Sequence, residues 1–204
     1  MSNTHDHIVQ DTEPVLRKKA KPIPNSEIAS PKIQHLIAQM QELLAREDNG
    51  VGLAAPQVGV SLRLFIVSGK ALMPERDAKS SENNDEKTTA IPPDMVCINP
   101  ELVRASRAKK EMSEGCLSVR GLYGSVVRHE KATIRALDQN GEPFIRHASG
   151  LLSQIFQHEI DHLDGVLYTD KAVSLDQDAE SKKKGAPLAG QKRKKIPAKP
   201  PKKK

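Results

Sequence analysis

The sequence predicts an α+β protein in which antiparallel sheets pack around a central helix, with a second helix near the N-terminus. Three observations support this fold class: apolar residues at helical spacing between residues 33 and 44, several short apolar runs of strand length, and a hairpin-turn sequence at residues 138–141. The chain has 204 residues, of which 37% are hydrophobic, so it can bury one sizeable core.

The first helix is predicted to begin after Ser30 and to end near Arg46. Ser30 can cap the helix, and Pro31 suits the first turn because its fixed φ matches a helix. The apolar residues that follow recur on one helix face: Ile33, Leu36, Ile37, Met40, Leu43 and Leu44. This face is therefore expected to pack against a sheet, and the glycines in residues 50–52 are expected to open a loop.

Five strands are predicted, at residues 62–67, 95–99, 126–128, 132–137 and 144–147. The sequence Asp138-Gln139-Asn140-Gly141 has hairpin-turn chemistry, so the last two strands are expected to pair with each other. Between the first two strands, residues 72–94 are charged, rich in serine and asparagine, and interrupted by proline. This segment is predicted to be a flexible insertion within the domain.

The central helix is predicted to begin after Ser149 as its cap and to end near Gly165. It carries His158 and His162 at positions i and i+4, which point from one face and can hold one metal ion. Glu159, beside the first histidine, is then placed to act on a water molecule. The alternative is an amphipathic helix that carries two histidines without binding a metal.

A third metal ligand would favour the metal site, because catalytic zinc-type sites use three protein ligands. No histidine or cysteine follows His162, so the candidates lie upstream: Cys97, Cys116, His129 and His147. Cys116 has the most distinctive setting, the sequence EGCLS at residues 114–118, in which Gly115 allows close backbone approach. A thiolate is also a strong ligand for a borderline-soft divalent metal. Cys97, on a predicted strand, is expected to be a buried small hydrophobe.

Three segments resemble, in order, the motifs of the peptide deformylases. They are GVGLAAPQ at residues 50–57, EGCLS at residues 114–118 and QHEIDHLDG at residues 157–165. This family removes the formyl group from the N-terminal methionine of new bacterial and organellar polypeptides, so N-formylmethionyl nascent peptides are the expected substrates. The resemblance covers roughly residues 14–168.

The resemblance also implies a role in the reaction for each site residue. It assigns one divalent ion to Cys116, His158 and His162, with iron(II) as the first choice and zinc, nickel or cobalt as alternatives. Glu159 would carry the proton from water to the departing amine. The side-chain amide of Gln57 and the backbone N–H of Leu117 would donate to the oxyanion.

The same resemblance implies the substrate-binding residues Val51, Gly52, Glu114, Tyr123, Leu151 and Ile155. Leu151 and Ile155 would line the pocket for the methionine side chain, with simple core packing as the alternative. Glu114 is expected to be an exposed carboxylate whose alternative role is to tune the metal site. Many bacterial deformylases have proline and then arginine where this chain has Arg120 and Tyr123, so Tyr123 is expected to alter peptide preference more than hydrolysis.

Charge divides the chain into two parts. Residues 1–180 contain 21 basic and 26 acidic residues, a net charge of −5, whereas residues 181–204 contain eleven basic residues and no acid. The lysine- and proline-rich segment 173–204 is predicted to be a disordered tail after a catalytic domain at 14–172, with a flexible start at 1–13. The tail could bind the ribosome and its RNA, or it could only increase solubility.

The remaining composition is typical of a cytoplasmic enzyme, and a monomer is expected. The chain has no apolar run near the roughly 20 residues of a membrane helix, no signal-like start and two cysteines, too few for a disulfide framework. A generic metallopeptidase is an alternative, but downstream it would have only acids such as Asp170 and Asp176 as a third ligand. A non-catalytic nucleic-acid binder would not need the ligand set together with Glu159 and Gln57.

Overall fold

The computed structural model describes residues 6–73 and 90–177, and these residues form two antiparallel sheets and three α-helices. The strands are β1 Gly52–Ala54, β2 Leu64–Val67, β3 Met95–Ala105, β4 Lys109–Cys116, β5 Val119–His129, β6 Lys131–Leu137, β7 Pro143–Ser149 and β8 Ser174–Gln177. The helices are α1 Asn25–Ile28, α2 Pro31–Ala45 and α3 Gly150–Leu163. The predicted α+β class is confirmed.

The larger sheet has the strand order β1-β2-β3-β6-β7, and the smaller sheet has the order β4-β5-β8. The predicted hairpin between β6 and β7 is confirmed, with Lys131 opposite Ser149 and Leu137 opposite Pro143. Its turn is built by Asp138, whose Oδ1 accepts the backbone N–H groups of Asn140 and Glu142 at 2.8 and 2.9 Å. A turn of this kind sets the pairing register of both strands.

Helices α2 and α3 pack on opposite faces of the larger sheet. Because side chains alternate along a strand, Leu64 and Ile66 of β2 lie in the core cluster of α2, whereas Phe65 lies in that of α3. The prediction for α2 is confirmed: the Ser30 hydroxyl accepts the backbone N–H of Ile33 at 3.4 Å, and the apolar face is buried. Helix α3 also contacts β5, so it lies between the two sheets.

The ends of α3 differ in how far they follow the prediction. Ser149 occupies the N-cap position, but its side chain makes no capping hydrogen bond, so that expectation is wrong. Ser149 is also the last residue of β7, where it pairs with Lys131. The C-terminal end is as predicted, because Gly165 follows the cap residue with φ +76°.

Three strands were not predicted, and β3 and β5 were predicted at less than half their length. Strand β4 is mostly polar and lies at an edge of the smaller sheet, so it lacks the apolar alternation that marks a half-buried strand. Strand β8 lies in the predicted disordered tail, yet it pairs with β5, with Ser174 opposite Ser125. Strand β1, expected as a loop, pairs with β2. Residues 178–204 of the predicted tail lie outside the described residues.

Part of the predicted flexible start packs on the domain. Ile8 is buried in the core, and the backbone N–H of Val9 donates to the carbonyl of Gln57 at 2.9 Å, while residues 1–5 lie outside the described residues. The predicted insertion at 72–94 is described only at its two ends, where Asp94 Oδ1 accepts the backbone N–H of Gly69 at 2.9 Å. In the part of the chain that the structure describes, none of the helices has the length and apolarity to cross a membrane.

Replacing Gly165 by alanine should destabilise the fold more than replacing Gly141. Both glycines have positive φ, +76° and +85°, so each alanine should cost about 1–2 kcal/mol in the free energy of unfolding. At Gly165 the added Cβ would also lie 2.9 Å from the backbone of Arg17, whereas at Gly141 its nearest neighbour is 3.7 Å away. Urea unfolding of both variants measures the difference, and equal losses would contradict this prediction.

Candidate metal centre and active site

The site forms where α3 crosses the turn between β4 and β5. One face of α3 presents His158 and His162, and the turn presents Cys116 at the end of β4, opposite Val119. The ladder between β4 and β5 is irregular between Glu114 and Cys116, and this irregularity lets the chain turn sharply at the site. Residues far apart in the sequence are thereby brought onto one side of the helix.

The three predicted metal ligands converge. Within the described residues, Cys116, His158 and His162 form the one such cluster, with their ligand atoms within 4.8 Å of one another. Cys116 Sγ lies 3.2 Å from His162 Nε2. Metal–ligand bonds of about 2.0–2.3 Å in a tetrahedral site would place ligand atoms roughly 3–4 Å apart. The Cys116–His162 pair already has this spacing, and the thiol and imidazole donors suit a divalent ion.

The other candidates for a third ligand lie elsewhere. Cys97 is fully buried in the core cluster of α3, where burial raises the pKa of its thiol, as expected for a small hydrophobe. His129 Nδ1 contacts the carbonyl of Ser106, and His147 Nδ1 contacts the hydroxyl of Thr133. Asp170, the downstream alternative, accepts the backbone N–H of Leu167 at 2.9 Å. Cys116 is therefore the residue that completes the set.

A buried ionic network supports His158 from behind. Both oxygens of Glu114 accept from the guanidinium of Arg128, at 2.7 and 2.9 Å, and Arg128 also binds Asp161 at 2.6 Å. Glu114 Oε2 lies 2.9 Å from His158 Nδ1. The expectation that Glu114 is exposed is wrong, because the carboxylate is almost completely buried beneath the ligand. Burial alone would raise its pKa, but hydrogen bonds with Arg128 and His158 hold the pKa at about 2.

The two histidines lie in different electrostatic surroundings. Burial opposes protonation of His158, but its contacts with Cys116 and Glu114 outweigh burial and raise its pKa to about 10. Burial and the neighbouring His158 lower the pKa of His162 instead. The hydrogen bond at Nδ1 of His158 also leaves Nε2 as the nitrogen that faces the other ligands.

Glu159 lies beside the ligands with one carboxylate oxygen unused. The side chain is buried, and Oε2 has no hydrogen-bond partner among the described residues. Burial raises the pKa of Glu159 to about 7, with the charge of Glu114 adding to this effect and His158 opposing it. Gly52 of β1 passes so close that a Cβ there would overlap Oε1 and lie 3.0 Å from the carboxyl carbon.

A hydrogen bond from the backbone orients the side chain of Gln57. It lies in the 3-10 helix Ala55–Val58, where its Oε1 accepts the backbone N–H of Ala54 at 2.8 Å. With the oxygen held in this way, Nε2 points toward Cys116 Sγ at 3.4 Å and Ser118 Oγ at 3.2 Å. The amide donor therefore faces the space beside the ligand set.

A pocket of about 500 Å³ opens above these groups. Its lining includes all six residues predicted to bind substrate: Val51, Gly52, Glu114, Tyr123, Leu151 and Ile155. Tyr123 and Leu151 are partly exposed at the pocket, whereas Ile155 is buried in the core cluster of α3. The pocket also exposes Leu117, next to the ligand Cys116.

The sequence reading missed Arg128, Asp161 and Ser118 as partners of the site residues. Asp161 and Ser118 lie inside the QHEIDHLDG and EGCLS motifs, so the motifs themselves were a signal that these residues might matter. Arg128 lies on a predicted strand without any motif around it. A single sequence offers no sign that this arginine is buried.

Comparisons with known proteins agree with the site. The family model for polypeptide deformylase matches residues 5–178. A peptide deformylase of Roseiflexus castenholzii is 41% identical over 81% of this chain and 85% of its own length. The crystal structure of a peptide deformylase from Legionella pneumophila is 42% identical with a TM-score of 0.63, and the match covers 80% of this chain and 83% of that one.

A deformylase from Synechococcus elongatus, solved in complex with actinonin, is 32% identical with a TM-score of 0.67, over 85% of this chain and 82% of that one. The family match reaches beyond the predicted domain at both ends, to the buried Ile8 and to strand β8. The chain therefore belongs to the peptide deformylases, metal-dependent hydrolases that remove the formyl group from N-formylmethionyl peptides and release formate.

Proposed function

We propose that Cys116, His158 and His162 hold one divalent ion and that three further residues act on the formyl group beside it. The observation that carries this proposal is the convergence of the three ligand atoms next to an unpartnered oxygen of Glu159. When bound, such an ion supplies Lewis acidity, which polarises a carbonyl and makes water acidic enough to attack near neutral pH. Iron(II) is the first choice, and zinc, nickel and cobalt also suit these ligands.

Glu159 is proposed as the proton carrier. Its carboxylate accepts a proton from the attacking water and delivers it to the amine nitrogen as the bond between that nitrogen and the formyl carbon breaks. The products are formate and a free methionine N-terminus. A carboxyl group with a pKa of about 7 can both accept and donate a proton near neutral pH, which suits this role.

Gln57 and Leu117 are proposed to stabilise the negative charge that develops on the formyl oxygen. Donors stabilise such charge best when they are already oriented before the reaction. The backbone N–H of Ala54 holds the oxygen of the Gln57 amide, and this contact leaves the NH₂ group turned toward the site. Leu117 follows the ligand Cys116 directly, which supports a role for its backbone N–H.

The remaining pocket residues are proposed to bind the peptide. The backbone of Val51 and Gly52 would contact the substrate main chain, Leu151 and Ile155 would surround the methionine side chain, and Tyr123 would meet the residues that follow. Glu114 is proposed to act through His158, because both of its oxygens are already engaged by the network around Arg128. It would fix the orientation of the ligand and not contact the peptide.

We further propose a cytoplasmic, monomeric enzyme whose catalytic domain, predicted at residues 14–172, also includes Ile8 and strand β8, with an insertion at 72–94 and a basic tail. Residues 181–204 would reach ribosomal RNA and hold the enzyme near emerging chains. The charge supports this role, because residues 1–180 carry −5 and would be repelled by RNA, whereas the tail carries +11. Such a contact would be electrostatic and independent of RNA sequence.

Loss of any one ligand should abolish stoichiometric metal binding. Cys116→Ala, His158→Ala and His162→Ala each remove one of three protein ligands, whereas Cys97→Ala removes a core thiol outside the site. Metal analysis of the purified variants measures the outcome, with Cys97→Ala as the matched control. Equal metal content in Cys116→Ala and the parent would remove Cys116 from the site.

The parent protein, loaded anaerobically with iron(II), should release formate from formyl-Met-Ala-Ser and leave its peptide bonds intact. Glu159→Gln should retain the metal but lose on the order of 10²- to 10⁴-fold in rate, because the proton carrier is gone. Gln57→Ala should also retain the metal and lose roughly 10²- to 10³-fold, the usual cost of one oxyanion donor.

Formate and free amine, measured separately with the unformylated peptide as a control, distinguish deformylation from peptide cleavage. Peptide cleavage without formate would favour a metallopeptidase and contradict the proposed function. Turnover near the parent rate in either variant would show that its residue has another role.

Deletion of residues 181–204 should abolish co-sedimentation with ribosomes at low salt and leave hydrolysis of formyl-Met-Ala-Ser unchanged. Binding of the full chain should weaken steeply as salt rises, with log K falling against log salt by about 0.7–0.9 for each phosphate neutralised. If the truncated protein pellets with ribosomes as well as the full chain does, the tail is only a solubilising segment.

A further inference from the structure

An ion pair joins the two walls of the pocket at its rim. Arg120 Nη2 donates to Glu47 Oε1 at 2.6 Å, and Arg120 Nη1 donates to Glu47 Oε2 at 3.3 Å. This fork-to-fork arrangement is the geometry in which an arginine and a carboxylate bind most specifically. Both residues line the pocket, and neither belongs to the ligand set or to the groups proposed to act on the formyl group.

The two partners belong to segments that carry different parts of the site. Arg120 lies in β5, immediately after the turn that contains Cys116 and Leu117. Glu47 lies in the connection between α2 and β1, which leads into Gly52 beside Glu159. The ion pair therefore links the wall with the metal ligand to the wall with the backbone that flanks Glu159.

A movement of Glu47 can be transmitted to β1 through the segment that connects them. The carbonyl of Glu47 accepts the backbone N–H of Gly50 at 3.0 Å, and a Cβ at Gly50 would lie 2.9 Å from Glu47 Cβ. The connection is thus folded closely around Glu47, with Val51 and Gly52 next in the chain. A shift of the Glu47 side chain would move a short and tightly packed segment.

We propose that Arg120 and Glu47 form a clasp that sets the separation of the two pocket walls and so determines how tightly the enzyme binds the residues after formyl-methionine. The inference rests on the proposed function and names positioning residues for it. The side chains are 56% and 23% exposed, so water and salt weaken the pair, and such exposed pairs change an equilibrium by only a factor of about 1.4–5. The clasp therefore tunes peptide binding, whereas the reaction at the formyl carbon proceeds without it.

The test uses three substrates of increasing length: formyl-Met amide, formyl-Met-Ala-Ser and a formylated hexapeptide. An extended chain advances about 3.3 Å per residue, so longer substrates reach further along the pocket. In Arg120→Met and in Glu47→Gln, KM for the hexapeptide should rise about 2- to 5-fold, with kcat unchanged and with no change in KM for formyl-Met amide. The charge-exchanged double variant, Arg120→Glu with Glu47→Arg, should restore the parent KM.

The control disrupts another exposed arginine–glutamate ion pair, one that lies outside the pocket. Arg135 and Glu101 form a contact of 2.6 Å with exposures of 61% and 62% on neighbouring strands β6 and β3. Arg135→Met should leave KM unchanged for all three substrates. In the parent, rising NaCl should raise KM for the hexapeptide toward the value of Arg120→Met, and the variant itself should respond less to salt.

If the parent is active and both single variants have the same KM values as the parent, the clasp is overturned and the proposed function is not. An equal rise in KM for formyl-Met amide would also overturn the clasp, because the effect would then not depend on the residues after methionine. A double variant as impaired as the single variants would also overturn it, because the link between the charges would not matter. A parent that releases no formate from any of the three substrates would overturn the proposed function and the clasp together.

Discussion

The buried guanidinium of Arg128 is the interaction on which the geometry of the site depends. It binds Glu114 of β4 and Asp161 of α3 while lying itself on β5, so one side chain joins the central helix to both strands of the hairpin that carries Cys116. Removing one partner of such a buried pair typically costs about 3–5 kcal/mol, because an uncompensated charge remains inside the protein. The two parts of the metal site are therefore held together by charge as well as by apolar packing.

The same network sets the chemical state of the ligands. Arg128 keeps Glu114 ionised, and Glu114 in turn accepts from Nδ1 of His158, which directs Nε2 of that ring toward Cys116 and His162. Gln57 is oriented in a similar way. The backbone N–H of Ala54 donates to its side-chain oxygen, so the side-chain nitrogen remains as a donor. For His158 and for Gln57, a hydrogen bond at one side-chain atom determines which other atom of that side chain faces the pocket.

The sequence was sufficient to predict the parts of the fold that depend on local patterns. Helix α2 has its cap at Ser30 and its apolar face, the β6–β7 hairpin has the turn at Asp138, and the three proposed ligands lie in recognisable motifs. Strands β4 and β8 could not be predicted, because their stability comes from pairing with β5 and not from their own polar residues. The burial of Glu114 could not be predicted either, since it depends on Arg128, which lies 14 positions away in the chain and on the neighbouring strand β5.

The close approach of β1 to Glu159 limits how this active site can vary. At Gly52 any side chain would meet the carboxylate of Glu159, so even the smallest replacement would have to displace the proposed proton carrier. A substitution at Gly52 is therefore possible only together with a shift of the Glu159 side chain. Variation in peptide preference would have to accumulate at exposed rim positions such as Arg120 and Tyr123, where a new side chain has room. A ligand that contacts Gly52 and Glu159 would accordingly bind at a position where substitution also disturbs the proposed proton carrier.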